Sequence, residues 1–334
     1  MSILEQLKVY KKWLKLNKWL LLIGILIIIL SIVLIWQPGF IAGAVDAMRI
    51  PYAVGLTIFT VFFFIRDKKV LATCGALALL ILVPGIWPYF KPEQKPVAAN
   101  KNEIKNKMEI RADFSVAHYN VKENNKKILS VVKNAVESNA DIISFQELRD
   151  VTLSSIDSVI KQSHPYSVSD LSIPGYGMAV YSKYPIQNSE VIIQKNFPLL
   201  YGVVQIQNRS VHFISATTAT PTNDKDYNLQ MKQFKLMAEY SNTVDSPLVV
   251  MGDMNAVPWS TQITAFLNST DLKDSRKDLS GTFPSQSLFV KIPIDYIFHS
   301  PELFCEAFNT TGNTSSNHLG IIGYFTFRRV KRPI

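Results

Sequence analysis

The chain has 334 residues, with 35 Lys and Arg against 26 Asp and Glu and a net charge of +9. Residues 1–100 hold 11 basic and 4 acidic side chains, and residues 101–334 hold 24 and 22, so the excess is +7 in the first part and only +2 in the second. A uniformly basic soluble domain is excluded, and with it the simplest reading of the charge as an attraction to nucleic acid. Charged residues make up only 18% of the chain, against about 25% in a typical soluble protein.

Three apolar runs account for the deficit. Trp19–Trp36 carries no charge, Pro51–Ile65 is a second run that extends back through Phe40–Met48, and Val70–Tyr89 is a third. A helix needs about 20 apolar residues to cross the hydrocarbon layer, so these runs predict three transmembrane helices within residues 1–90. The first is too long for a signal-peptide core, and no small-residue cleavage site follows it. Lys8, Lys11, Lys12, Lys15 and Lys18 precede the first run, and Arg66, Lys68 and Lys69 follow the second. Positive flanks stay in the cytoplasm. The expectation is a multi-pass protein with a cytoplasmic N-terminus and everything after Tyr89 outside the cytoplasm. Leu4, Leu7, Leu14 and Leu16 among the first lysines suit an amphipathic helix on an anionic bilayer.

Residues 91–108 have the Pro, Asn and Lys content of a linker. Beyond it, 109–334 is long enough to bury one sizeable core. Cys74 and Cys305 are too few and too far apart for a disulfide framework. Strand and helix patterns alternate: a strand over 110–121, a helix over 124–138 with Val131, Val132 and Ala135 on one face, a strand over 141–145 and a helix over 151–161. Strands follow at 176–182, 188–194, 201–207 and 211–216, then a helix over 228–240 and strands at 248–251, 294–298 and 322–327. Consecutive strands between 176 and 216 lack crossover helices, so the pattern predicts a layered α/β fold and excludes a doubly wound one.

Polar residues stand where these buried strands end. Asn120 closes the first strand, Gln146-Glu147 closes the second, and Asp253 and Asn255 lie two apart on one face of an extended segment. Asp295 is embedded in an apolar strand, and Ser316-Asn317-His318 precedes the last one. A charge among buried apolar residues is costly unless it is paired or binds a metal. One such position could be a structural ion pair; five in one domain point to a converging site.

This ordered set, with Gly175-Tyr-Gly-Met-Ala-Val-Tyr-Ser-Lys-Tyr-Pro-Ile186, Gly252-Asp-Met-Asn-Ala256 and Gly281-Thr-Phe-Pro284, resembles the endonuclease/exonuclease/phosphatase (DNase I-like) superfamily over about residues 110–327. The apolar N-terminus resembles that of membrane-anchored bacterial members. The resemblance implies a four-layer α/β sandwich, two packed β-sheets flanked by helices, forming a catalytic domain over 109–334. It implies Mg2+ or Mn2+ held by Glu147 with Asn120 and Asn317 nearby. Asp253 would orient or deprotonate the attacking water, and Asn255 would hold the phosphate. Asp295 and His318 would form a carboxylate–imidazole pair, with His318 also facing the substrate. The reaction would be metal-assisted hydrolysis of a phosphoester in a nucleic acid, a lipid head group or a sugar phosphate. No obligate protein partner is implied beyond the lipid bilayer.

Two positions depart from the family pattern. Asn317 stands where an Asp is usual, and Thr218 stands about where a phosphate-contacting His is usual. Both remove charge, which leaves a phospho-ligand binding or scaffold protein as the rival reading. His118 is expected in a core or hydrogen-bonded structural role. His164, His212 and His299 are expected at the surface, as is the basic run at 328–332.

Overall fold

A computed structural model describes residues 18–33, 39–87, 112–194, 197–245, 247–288, 290–312 and 315–328. The chain divides into two compact units, residues 1–90 and 91–334. The expected linker 91–108, the lysines before Lys18 and the C-terminal residues 329–334 lie outside the described residues.

The first unit contains helices α1 (Lys18–Val33), α2 (Phe40–Ile65) and α3 (Lys69–Ile86). Three spans were expected, and the structure corrects this. Among the described residues only Val45–Ile65 of α2 is long and apolar enough to cross a membrane, while Lys18–Val33 and Lys69–Pro84 are shorter apolar helices. At 1.5 Å per residue, the described part of each covers less than a hydrocarbon layer about 30 Å thick. Leu56, Ala78 and Leu82 form the buried centre of this unit, and Ile58, Phe64 and Ile65 are exposed. Gly75 lets α3 approach α2, because a Cβ there would lie 2.3 Å from Thr60 Oγ1.

The second unit is built on two six-stranded sheets. The first runs in the order β11-β12-β1-β2-β4-β3 and the second in the order β5-β6-β7-β8-β10-β9. The strands are β1 (Phe114–Asn120), β2 (Ile142–Gln146), β3 (Tyr166–Asp170), β4 (Met178–Ser182), β5 (Ile186–Gln194), β6 (Phe197–Ile206), β7 (Arg209–Ser215), β8 (Leu248–Asp253), β9 (Lys273–Asp274), β10 (Asp295–His299), β11 (Leu303–Thr310) and β12 (Ile321–Phe327). Two adjacent pairs, β1–β2 and β7–β8, are parallel, and helices α4 (Ile128–Glu137) and α6 (Asp224–Ser241) make their crossovers. The other pairings are antiparallel, so both sheets are mixed. Helices α5 (Asp150–Ile160) and α7 (Thr261–Asn268) complete the set.

Side-chain parity explains the layers. Successive residues of a strand face opposite ways. Phe114 and Val116 of β1, Ile142 of β2, Phe213 of β7, Val249 and Met251 of β8 and Ile297 of β10 meet in the core between the sheets. Their neighbours Ala117, Tyr119, Ile143 and Phe145 pack outward with residues of α4 and α5, such as Val131 and Ile156. Ile214, Val250, Tyr296 and Phe298 pack outward with Phe234 of α6 and Phe266 of α7. The result is the expected four-layer sandwich. Continuing the inward parity along each strand reaches His118 and Asn120, Ser144 and Gln146, Ser215, Asp253 and Asp295. The polar residues therefore fall on the inner face, at one end of the core.

Most element positions agree with the sequence pattern to within a few residues. Helix α6 starts earlier than expected because Asn223 caps it, its side chain accepting from the Asp226 N–H, with Asp224 and Asp226 in the first turn. Strands β3, β9 and β11 and helix α7 were not read from the sequence. β3 is a polar strand at a sheet edge, β9 has two residues, β11 breaks its alternation at a bulge after Cys305, and α7 has only eight residues.

The expectation of surface histidines is corrected at two positions, since His164 and His299 are buried. His164 is held between Ser163 Oγ and the Ala140 carbonyl. His299 shares a hydrogen bond of 2.9 Å with Ser275 Oγ. Burial, aided by Lys277 and Lys273, depresses His299 from 6.5 to about 4. A depressed base stays neutral in the folded chain while the unfolded chain takes up a proton. Stability is therefore full above pH 6.5 and falls as the pH drops through the window to about 4, by up to about 3 kcal/mol from this group. Urea unfolding across that window should show the loss, and His299→Phe should flatten it; an unchanged slope in the variant would contradict the assignment.

Candidate active site

The site forms where β1, β2, β8 and β10 end together. Asn120 closes β1, and its Nδ2 donates to Glu147 Oε1 at 2.8 Å and to Asp253 Oδ2 at 3.0 Å. Its Oδ1 accepts the Lys122 N–H at 3.0 Å. Asn120 thus bridges the two carboxylates as a donor, and ligation of a metal through Oδ1 would require the amide to turn over. Glu147 follows β2 in a left-handed conformation (φ 60°), which swings its carboxylate out of the strand direction. Glu147 Oε2 accepts the Glu123 N–H at 3.1 Å.

β8 delivers Asp253. Its backbone must pass close to β7 and β2, and Gly252 permits this: a Cβ there would lie 1.7 Å from the Ala216 carbonyl oxygen and 2.6 Å from Gln146 Nε2. Asp253 Oδ1 accepts the Asn255 N–H at 2.9 Å. Asn255 is held at φ 47°, donates from Nδ2 to the Thr218 carbonyl (2.8 Å) and accepts from Thr220 Oγ1 (2.9 Å).

Asp295 opens β10, fully buried, and its Oδ2 lies 2.9 Å from His318 Nδ1. His318 Nε2 stands 3.8 Å from Asp253 Oδ2, and the Phe283 ring packs against the imidazole with centroids 4.9 Å apart. The loop that carries His318 is tied down by Ser316, whose hydroxyl donates to the Asn120 carbonyl at 2.8 Å.

The charges are strongly coupled. Burial works to raise Asp295, but His318 and His118 outweigh it and hold the carboxyl well below the usual range. Burial would lower His318, yet Asp295 and Asp253 lift it to about 9. Burial and the Asp295 carboxylate push Asp253 up to about 7, against the pull of His318 and the Asn255 N–H. The site at neutral pH thus combines an ionised Asp295, a charged His318 and an Asp253 poised to exchange a proton.

Glu147, Asp253 and His318 each offer a ligand atom, all within 4.8 Å of one another. The two carboxylates, and the imidazole when it is neutral, offer donors that fit a divalent cation. The cluster also carries its own need for one, since Glu147 and Asp295 both press their charge on Asp253.

The structure brings Asn120, Glu147, Asp253, Asn255, Asp295 and His318 together. It treats the remaining two candidates differently. The Thr218 hydroxyl donates to the Met254 carbonyl at 2.6 Å, so its proton is committed to holding the end of β8. Asn317 is partly buried; its carbonyl accepts the Ser285 N–H at 2.7 Å and its Oδ1 only a long contact of 3.4 Å from Ser316 Oγ.

Sequence reasoning assigned no role to Ser144, Ser215, Gln146 or Arg276. Gln146 binds across the sheets, accepting the Asp253 N–H at 2.9 Å and donating to the Ala216 carbonyl at 2.8 Å. Polar residues two apart in an apolar strand, Ser144 and Gln146, were the available signal. Arg276 donates to the Asp295 carbonyl and lies over the Tyr296 ring, 5.1 Å from its centroid.

The fold and the site together define a four-layer α/β sandwich with a metal-capable acid–imidazole centre at one end. A sequence profile of the Endonuclease/Exonuclease/phosphatase family matches residues 117–318, and the chain belongs to that family, whose members are metal-dependent phosphoesterases. No curated protein sequence matches the chain. Among solved structures, an endonuclease/exonuclease/phosphatase from Bacteroides vulgatus is similar with a TM-score of 0.57 and 13% identity, over 64% of this chain and 99% of that one. A mannosyl-6-phosphatase from Bacteroides thetaiotaomicron VPI-5482 is similar with a TM-score of 0.53 and 18% identity, over 64% and 100%. Sphingomyelinase C from Streptomyces griseocarneus gives 0.52 and 14%, over 63% and 98%. At these identities the likeness establishes the fold.

Proposed function

We propose that the chain is a divalent-metal-dependent phosphoester hydrolase attached to a membrane through its N-terminal unit. The observation that carries the reading is the convergence of Glu147, Asp253 and His318 within 4.8 Å, beside the 2.9 Å Asp295–His318 pair. Mg2+ or Mn2+ would be held by Glu147, with Asp253 or a turned Asn120 amide beside it, and would supply charge that neutralises the phosphoryl oxygens. The other work falls to the chain itself. Asp253, raised to about 7, accepts a proton from the attacking water near neutral pH. Asp295 orients the His318 imidazolium, accepting its Nδ1–H and turning the Nε2–H toward the reacting group. Asn255, locked by Thr218 and Thr220, offers an amide N–H to the phosphate.

Membrane attachment is supported by α2, whose exposed Ile58, Phe64 and Ile65 form no part of a soluble core. Arg66, Lys68 and Lys69 after it favour a cytoplasmic position for that turn. A phospho-ligand binding protein is the second reading, favoured by the committed Thr218 hydroxyl and the uncharged Asn317.

The test is a panel of single-stranded DNA, RNA, sphingomyelin and sugar phosphates offered to the full chain in detergent with Mg2+ or Mn2+. Hydrolysis of at least one, abolished by chelation, is expected. Binding without turnover across the panel would sink the hydrolase reading in favour of the second.

A further inference from the structure

Behind the candidate catalytic groups, a file of buried polar side chains runs between the two sheets, and its first hydrogen bonds have a fixed direction. The Asp253 N–H can only donate, and it donates to Gln146 Oε1. Gln146 Nε2 is therefore the donating end, to the Ala216 carbonyl at 2.8 Å and to Ser215 Oγ at 3.2 Å. Ser215 Oγ lies 2.9 Å from Ser144 Oγ, which lies 3.4 Å from His118 Nδ1. At the far end His118 Nε2 lies 3.5 Å from Asp295 Oδ1. Both of these atoms are buried, and neither has a hydrogen-bond partner among the described residues.

The carboxylate selects the direction. If the serine pair ran the other way, a singly protonated His118 would carry its proton on Nδ1, and a bare Nε2 lone pair would face a carboxylate inside the core. With Ser215 donating to Ser144 and Ser144 donating to Nδ1, the ring proton of His118 sits on Nε2, 3.5 Å from Asp295 Oδ1. Each oxygen of Asp295 then faces one imidazole N–H, Oδ1 that of His118 and Oδ2 that of His318.

We propose that His118, as its Nε2–H tautomer set by Ser144, is a positioning residue that holds Asp295 Oδ1 and so keeps Oδ2 aimed at His318. The inference rests on the hydrolase reading for its kinetic consequence but not for its geometry. A carboxylate anchored at one oxygen only can rotate, and the His318 imidazole would lose its fixed place 3.8 Å from Asp253.

The test uses the full chain in detergent, labelled with 15N-histidine; its five histidines keep the spectrum simple. His118, assigned by the signal lost in His118→Gln, should carry a proton on Nε2, and Ser144→Ala should let the tautomers mix. His118→Leu should lower kcat by about 10²-fold, the scale of an ångström misplacement, with KM nearly unchanged. His118→Gln should recover most of that loss, because its amide can accept from Ser144 and donate to Asp295. A His118 ring with no proton on Nε2 would overturn the proposal, as would wild-type kcat in His118→Leu. Should the wild type turn over no phosphoester, the hydrolase reading falls, and the spectra decide alone: an unaltered His318 signal in folded His118→Leu would overturn the positioning role.

Discussion

Asp253→Asn is expected to lower kcat by about 10²- to 10⁴-fold, the range that loss of a positioned general base costs. Every contact of this carboxylate is as acceptor: Oδ2 receives Asn120 Nδ2 at 3.0 Å and Oδ1 receives the Asn255 N–H at 2.9 Å. An amide would present an NH2 group to one of those donors. That adds a local penalty of about 1–3 kcal/mol for an unpaired buried group. The kinetic loss is far larger than this strain can explain if the variant still melts cooperatively within a few degrees of the wild type. Steady-state kinetics alongside thermal melts separates the two effects. A kcat within tenfold of wild type would remove Asp253 from the chemistry.

Glu147→Gln should have the second largest effect, and it should act through the metal. The side chain keeps its shape and can keep its bond from the Glu123 N–H, but it gives up the one from Asn120 Nδ2 and loses the charge that draws a cation. The metal concentration for half-maximal rate should rise by at least about 10²-fold, the upper end of what even an outer partner of a ligand costs. Metal-free stability should hardly change. The Glu147 charge presses on buried Asp253, so its removal relieves repulsion that offsets the lost Asn120 bond and leaves the metal-free melting temperature close to that of the wild type. The rise in melting temperature on adding Mn2+, which reports binding to the folded state, should disappear. A variant that melts lower without metal yet keeps its metal response would show Glu147 to be structural.

Much of this architecture was legible because period-two alternation and buried polar residues are both local signals. Inward parity along β1, β2, β8 and β10 leads to Asn120, Gln146, Asp253 and Asp295, so the strand pattern also predicts which residues meet. The order of the motifs then identified the fold. What escaped notice depends on non-local geometry. Asn120 reads as a ligand by its type, but its amide is turned nitrogen-first toward Glu147 and Asp253. Thr218 reads as a substrate contact by its position, but the Met254 carbonyl already holds its proton. His164 and His299 sit at segment ends in the sequence and are nonetheless buried by neighbouring elements. Hydropathy read three spans from composition alone. Among the described residues only α2 meets the length a bilayer asks for.

The charge of the chain belongs to the same lesson. Its +7 excess flanks the apolar helices, and the domain that carries Glu147, Asp253 and His318 works with a net +2. Substrate attraction must therefore come from local groups at the mouth of the site. Lys122 follows Asn120, and Arg149 pairs with Glu123 just past Glu147.

The most direct test is phosphoester turnover by one preparation of the full chain, with metal removed and then returned. Turnover should fall to background after chelation, recover on adding Mg2+ or Mn2+, and stay at background throughout for Asp253→Asn. Turnover that survives chelation, or an Asp253→Asn variant that recovers with the wild type, would contradict a metal-dependent hydrolase acting at this site.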